Sequence, residues 1–204
     1  MQNMSIEGFR LSPQQKHLWQ LQHSGYDPAY RVQGTIMIEG EINPELLTAT
    51  LENVVHRYEI LNTTFHQLAG LTLPVQVINE RNGLLLDEHN LSELGSKEQH
   101  GKIETLFREA SRSPFDLVQG PLLKISQVIL SPSKRLLHVS LPALCADATT
   151  LRNLVGEIGQ TYDAQMHGEQ KTANEEIMQY ADISEWQNEL LESEDGENGK
   201  AYWR

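Results

Sequence analysis

Along residues 31–39, RVQGTIMIE, the apolar side chains Val32, Ile36 and Ile38 alternate with Gln33, Thr35, Met37 and Glu39, a period of two that predicts a strand with one buried face. The period then lengthens. Leu47, Leu51, Val54, Val55 and Tyr58 recur at intervals of three and four, which predicts a helix from about Pro44 to Glu59. Upstream, Leu11-Ser12-Pro13 opens another helix, in which Ser12 can cap the first turn and Pro13 suits its first position. Gln15, Leu18, Trp19 and Gln22 follow at helical spacing, with Leu18 and Trp19 on one face, and the helix should stop before Gly25.

Further along, short strands are expected at Thr63 to Leu68, in PVQVIN from Pro74 and in LLLDE from Leu84, all continuing the sheet. Ile103, Leu106, Phe107 and Ala110 predict a helix from Lys97 to Arg112, ended by Pro114. After a turn at Gly120-Pro121, a strand from Leu122 to Leu130, a loop at Ser131–Lys134 and the returning RLLHVSLPAL form an antiparallel pair. Leu151, Leu154, Val155, Ile158 and Tyr162 mark the apolar stripe of the next helix, and Gly168 a looser link. A last helix, from about Asn174 to Leu191, carries Ile177, Tyr180, Ile183, Trp186 and Leu190. Strands and helices mixed in this order predict an α+β fold, a largely antiparallel sheet packed with helices.

Composition narrows the function. At 204 residues the chain can bury a substantial core, as one full domain or two small ones. Its 16 basic residues face 28 acidic ones, a formal charge of -12, so a polyanion such as nucleic acid would be repelled. The acidity gathers near the end, from Glu169 to Glu197, as a solvated helix face and loop or an acidic docking surface. One cysteine, Cys145, permits no intramolecular disulfide. The start, MQNMSIEGFRLSPQQ, lacks the features of a signal peptide and no apolar run approaches the roughly 20 residues of a membrane span, so no membrane partner and a cytoplasmic location are expected.

Candidate chemistry centres on the turn Pro142-Ala143-Leu144-Cys145-Ala146-Asp147-Ala148, where a strand's end meets a helix start. Asp147 suits the N-cap of a helix beginning near Thr149. Cys145 would be a nucleophile if its pKa were lowered there, and otherwise a small buried hydrophobe. Strand alternation puts His138 with Leu136, Ser140 and Pro142, opposite the face of Leu137, Val139, Leu141 and Ala143. No histidine pair has zinc-site spacing near an acid, and no glycine-rich phosphate loop is present, so neither a metal nor a nucleotide cofactor is expected.

Several segments together resemble one family: LSPQQKHLW (Leu11, Ser12, Pro13, Gln15, Trp19), HRYEILNTTF (Arg57, Glu59, Leu61, Thr63, Phe65), FDLVQGPLLK (Phe115 to Leu123), the Pro142–Ala148 turn, and YADISEWQ (Tyr180, Ala181, Trp186, Gln187). In this order they resemble the N-terminal lobe of a nonribosomal peptide synthetase condensation domain, of the chloramphenicol-acetyltransferase-like fold. The resemblance implies that residues 1–204 form that lobe, with the second lobe absent from this chain. It also implies a tunnel between lobes, where substrates on the phosphopantetheine arms of two carrier proteins meet and an amine attacks a thioester to form an amide.

The family's turn reads H-H-x-x-x-D-G, its second histidine the base or positioning group. Laid on this chain, only Asp147 matches: Pro142 and Ala143 stand at the histidines. A methyl can neither accept a proton nor orient an amine. The segment R-H-E-x-L-R-T of the family has an arginine that pairs with the motif aspartate, and here that position is Asn62, with Tyr58 at the preceding histidine. Three functions follow: an amide-forming condensation domain working mainly by positioning and catalytically impaired; a non-catalytic module that docks a carrier protein or tailoring enzyme; and an acyl transferase dependent on Cys145.

Overall fold

The structure, a computed structural model, describes residues 8–22, 30–79, 84–169, 177–194 and 196. Its elements in order are β1 (Phe9–Arg10), α1 (Pro13–Gln22), β2 (Arg31–Glu39), α2 (Pro44–Arg57), β3 (Thr63–His66), β4 (Val75–Ile78), β5 (Leu85–Asn90), α3 (Ser96–Arg112), β6 (Lys124–Ser131), β7 (Lys134–Pro142), α4 (Ala148–Met166) and α5 (Tyr180–Glu192). The α+β expectation holds. The single sheet does not: the strands divide into a three-stranded sheet, β1-β4-β3, and a four-stranded one, β2-β7-β6-β5.

The four-stranded sheet carries the site. β7 lies between β2 and β6 and is antiparallel to both, whereas β5 joins β6 in parallel, the one departure from the antiparallel expectation. That pairing has a reason in the connection, because α3 bridges β5 to β6 and parallel neighbours need such a crossover. Alternation then sorts β7. Leu137, Val139 and Leu141 enter the main core with Leu51, Val54, Leu154 and Ile158, while Leu136 joins a smaller cluster with Val128 and Leu91 beneath α3. Gly34 of β2 has no side chain where Leu151 of α4 lies, and a Cβ there would come within 2.9 Å of it. The missing atom lets α4 start close against the sheet.

Sequence boundaries shift where side chains intervene. α2 ends at Arg57 rather than Glu59, because Tyr58 turns extended and Glu59–Asn62 forms a 3-10 turn. The Asn62 amide donates to the carbonyl of Val55, closing the last turn of α2 at 2.7 Å. Leu122 and Leu123, expected to open the strand, are buried but precede β6, which starts at Lys124. The expected stop of the first helix before Gly25 lies outside the described residues, as does Asn174. Residues 177–179 are described and not helical, so the last helix starts at Tyr180 with Gln179 at its N-cap rather than near Asn174.

α5 overturns one expectation outright. Trp186 and Leu190, read above as its packing stripe, are 60% and 44% exposed, while the buried face is Ala181, Ser184 and Asn188. The reason is that α5 docks by hydrogen bonds. Ser184 Oγ donates to the Arg10 carbonyl, Asn188 Nδ2 donates to that of Leu11, and the Arg10 guanidinium clasps Glu185 and Glu192. No helix among the described residues is long and apolar enough to cross a membrane.

Candidate functional site

The Pro142–Ala148 turn is built at the end of β7 and fixed from three sides. The Ala143 N–H donates to the Tyr30 carbonyl beside β2 at 2.9 Å, and Cys145 N–H donates to the Pro142 carbonyl at 2.9 Å, closing a tight turn. Leu144 points into the core and its carbonyl accepts a hydrogen bond at 3.0 Å from Gln15 Nε2 of α1. Gln15 is itself fully buried, its Oε1 accepting from Ser12 N–H and its Nε2 also donating to Gln76 Oε1.

Within this frame the candidate residues separate. Ala143 is half-buried and offers a methyl group. Cys145 is buried, and burial pushes its thiol well above the ordinary range. The thiolate is the nucleophilic form, so this cysteine is held in its inert state. Asp147 is exposed and caps α4: Oδ1 accepts from Thr150 N–H at 2.7 Å and from Thr150 Oγ1 at 2.8 Å. The Thr150 backbone bond, then its hydroxyl, hold the carboxyl below the usual carboxylate range.

Asn62 and Asp147 share no hydrogen bond among the described residues. Asn62 Nδ2 is committed to Val55, and its Oδ1 is buried without a partner. Tyr58 faces elsewhere, beside the Arg57–Glu157 ion pair of 2.9 Å, with its phenol pushed up chiefly by burial. His138 lies on the α3 side of β7, stacked on Phe107 with ring centroids 4.4 Å apart and its Nδ1 3.2 Å from Thr35 Oγ1. Burial lowers its pKa and favours the neutral ring. Among the described residues no group of three or more metal-ligating side chains occurs.

Asp147→Ala should cost about 0.5 to 2 kcal/mol, the range of a lost N-cap. Because the folded carboxyl titrates below its unfolded value, the stabilisation is complete above an unfolded pKa near 4 and disappears as pH falls through the folded pKa. Urea unfolding of the two proteins should therefore differ at pH 7 and converge in strong acid. An equal gap at both pH values would contradict the cap.

The geometry is that of a strand-turn-helix junction with a methyl at Ala143, a buried thiol at Cys145 and a helix-capping carboxylate at Asp147. The Condensation domain family model matches residues 6–204. This chain belongs to the condensation-domain family. Among curated relatives it is 30% identical to a chondramide synthase of Chondromyces crocatus, over 95% of this chain and 5% of that protein. It is 33% identical to tyrocidine synthase 2 of Brevibacillus parabrevis, over 94% of this chain and 5% of that protein. The chain thus spans a small fraction of the length of the curated relatives it matches.

The starter condensation domain of rhizomide synthetase shares the fold with a TM-score of 0.85 at 19% identity, covering 97% of this chain and 47% of that one. The X-domain solved in complex with OxyB from teicoplanin biosynthesis matches with a TM-score of 0.77 at 23% identity, covering 94% of this chain and 40% of that one. Within the condensation-domain pattern, the structure brings Pro142, Ala143, Cys145 and Asp147 together at one turn and leaves Asn62 tied to α2.

The periodic pattern does not single out Gln76, Ser184 or Asn188, each polar and buried at 2% exposure or less. Gln15 did leave a signal. It sits at helical spacing with Leu18 and Trp19, a polar side chain within an inward-facing stripe, which calls for a buried partner.

Proposed function

We propose that this chain is the N-terminal lobe of a nonribosomal peptide synthetase condensation domain whose turn has lost its acid–base chemistry. The single observation that carries the reading is Ala143, a methyl on a turn whose backbone is otherwise fixed by Tyr30 and Gln15. On this reading the partners are the second lobe of the same domain and two carrier proteins, whose phosphopantetheine arms deliver the substrates, and the setting is cytoplasmic. No cofactor belongs to this lobe.

The reaction joins an amine to a thioester carbonyl, expels the carrier thiol and forms an amide. The attacking nitrogen must lose a proton, and Ala143 cannot take it. What remains is positioning, which can supply a large part of a bimolecular rate by itself. The Asp147 carboxylate, held below the usual range by its bonds to Thr150, is a weak base, and the Cys145 thiol is buried, so neither replaces the base.

The docking-module reading rests on the same methyl, and the complex of the X-domain and OxyB from teicoplanin biosynthesis offers, as an analogy, a structure of this fold solved with a second protein. The test is single-turnover amide formation by the complete two-lobed domain with both carriers loaded. Little product is expected, and none from residues 1–204 alone. Robust product from the unmodified two-lobed domain would overturn the impairment. Stable carrier or tailoring-enzyme binding with no product would favour the docking module.

A further inference from the structure

We propose that Gln15 is the positioning residue of the Pro142–Ala148 turn. Its side-chain amide reaches the turn from α1, donating to the Leu144 carbonyl at 3.0 Å, and it is 1% exposed. Every polar atom of that amide is used. Oε1 accepts from Ser12 N–H at 2.9 Å, and Nε2 divides its two protons between Leu144 O and Gln76 Oε1. Gln76 continues inward, donating to the Arg10 carbonyl and to Ser184 Oγ. The turn is thereby tied through Gln15 to α1, β4, β1 and α5.

Leu144 follows Ala143 directly, so the carbonyl that Gln15 holds belongs to the residue after the position where the family places its histidine. The significance for amide formation rests on the function proposed above. The positioning itself does not. Loss of the Nε2 donor strands a buried carbonyl and a buried amide oxygen, and the cost falls first on the turn, because β7 keeps its ladders to β2 and β6.

The chain contains its own reporter of that cost: Cys145, the one cysteine of the sequence, is buried in the turn beside Leu144. In the intact protein, the rate of Cys145 modification by a thiol reagent, read by peptide mass spectrometry, measures local opening of the turn. Hydrogen exchange of the Leu137 and Val139 amides, in the central strand, measures opening of the whole sheet.

Gln15→Glu keeps the shape and the acceptor but replaces the donor by a carboxylate. It should speed Cys145 modification by about ten-fold or more at neutral pH, at least the effect of one of the two buried polar groups it strands, with the strand amides unchanged. As pH falls and the introduced carboxyl regains a proton, the ratio to the unsubstituted protein should return toward one. If the carboxylate is not tolerated, Gln15→Met decides the same question, with the same local acceleration and no recovery in acid.

Unchanged Cys145 modification would overturn the proposal. So would an acceleration matched by the strand amides, since that is general destabilisation. Amide product is not the readout, so an active or inactive domain leaves the result standing on its own.

Discussion

Ala143→His in the two-lobed domain is expected to raise single-turnover amide formation by about ten- to a hundred-fold, no more than the bottom of the range a positioned general base contributes. The position can take the ring. Ala143 is half-buried rather than enclosed, its N–H is fixed to Tyr30, and its neighbours Pro142 and Leu144 already define the turn. The gain is set below the full range of about 10² to 10⁴ because the support that the family supplies is missing. Asp147 is spent on the cap of α4 and Asn62 on the end of α2. The introduced imidazole should also bring a rise in rate through its titration near pH 6.5, absent from the unsubstituted domain. A rate and pH profile that do not change would show that the missing histidine is not what limits the reaction.

Phe65→Ala should cost about 3 to 5 kcal/mol, the usual result of removing a fully buried aromatic side chain. Against a total stability of about 5 to 15 kcal/mol this approaches loss of the fold. Phe65 is 0% exposed, packs with Trp19 at 6.5 Å between ring centroids, and donates its N–H to the Leu117 carbonyl. It therefore joins α1, β3 and the loop before β6 at one point. Trp186, larger but 60% exposed, is the contrast: its replacement by Ala should change stability by about 0.5 kcal/mol or less. Denaturant midpoints of both variants check the pair. A Phe65→Ala loss no larger than that of Trp186→Ala would refute the assignment of the core.

The contrast between these residues also marks how much of the molecule was legible in its sequence. Where stability comes from apolar burial the pattern is readable: Val32, Ile36 and Ile38 share one face of β2, and Leu51, Val54, Leu154 and Ile158 meet in the core. Where an element docks by hydrogen bonds the pattern misleads. α5 turns Ser184 and Asn188 inward and Trp186 outward, because the carbonyls of Arg10 and Leu11 offer partners that no periodicity records. The division of strands between two sheets was likewise invisible, since short runs such as VQVI carry no mark of their neighbour.

At the turn, Cys145 and Asp147 could be read from the strand end and helix start, whereas Pro142, Ala143 and, after the end of α2, Asn62 gained their meaning from the resemblance alone. Their surroundings could be read only in part. The Asp147 cap, a local bond to Thr150, was readable, whereas whether Cys145 is open or buried depends on contacts made by distant segments. Gln15 was visible as a polar intruder in an apolar stripe, but its partner was not.

The bonds that fix the turn join parts of the chain that are far apart in sequence. Gln15 and Leu144 are 129 residues apart, and Thr35 and His138, which mark the β2–β7 pairing, are 103 apart. The β6–β7 hairpin can close early through its short loop, whereas these contacts must wait for the closure of loops of roughly a hundred residues, a slow and entropically costly step. During refolding the hairpin should therefore exist for a time with its end unformed. The turn takes its final shape among the last events, and the moment at which Cys145 becomes protected would time the completion of the fold.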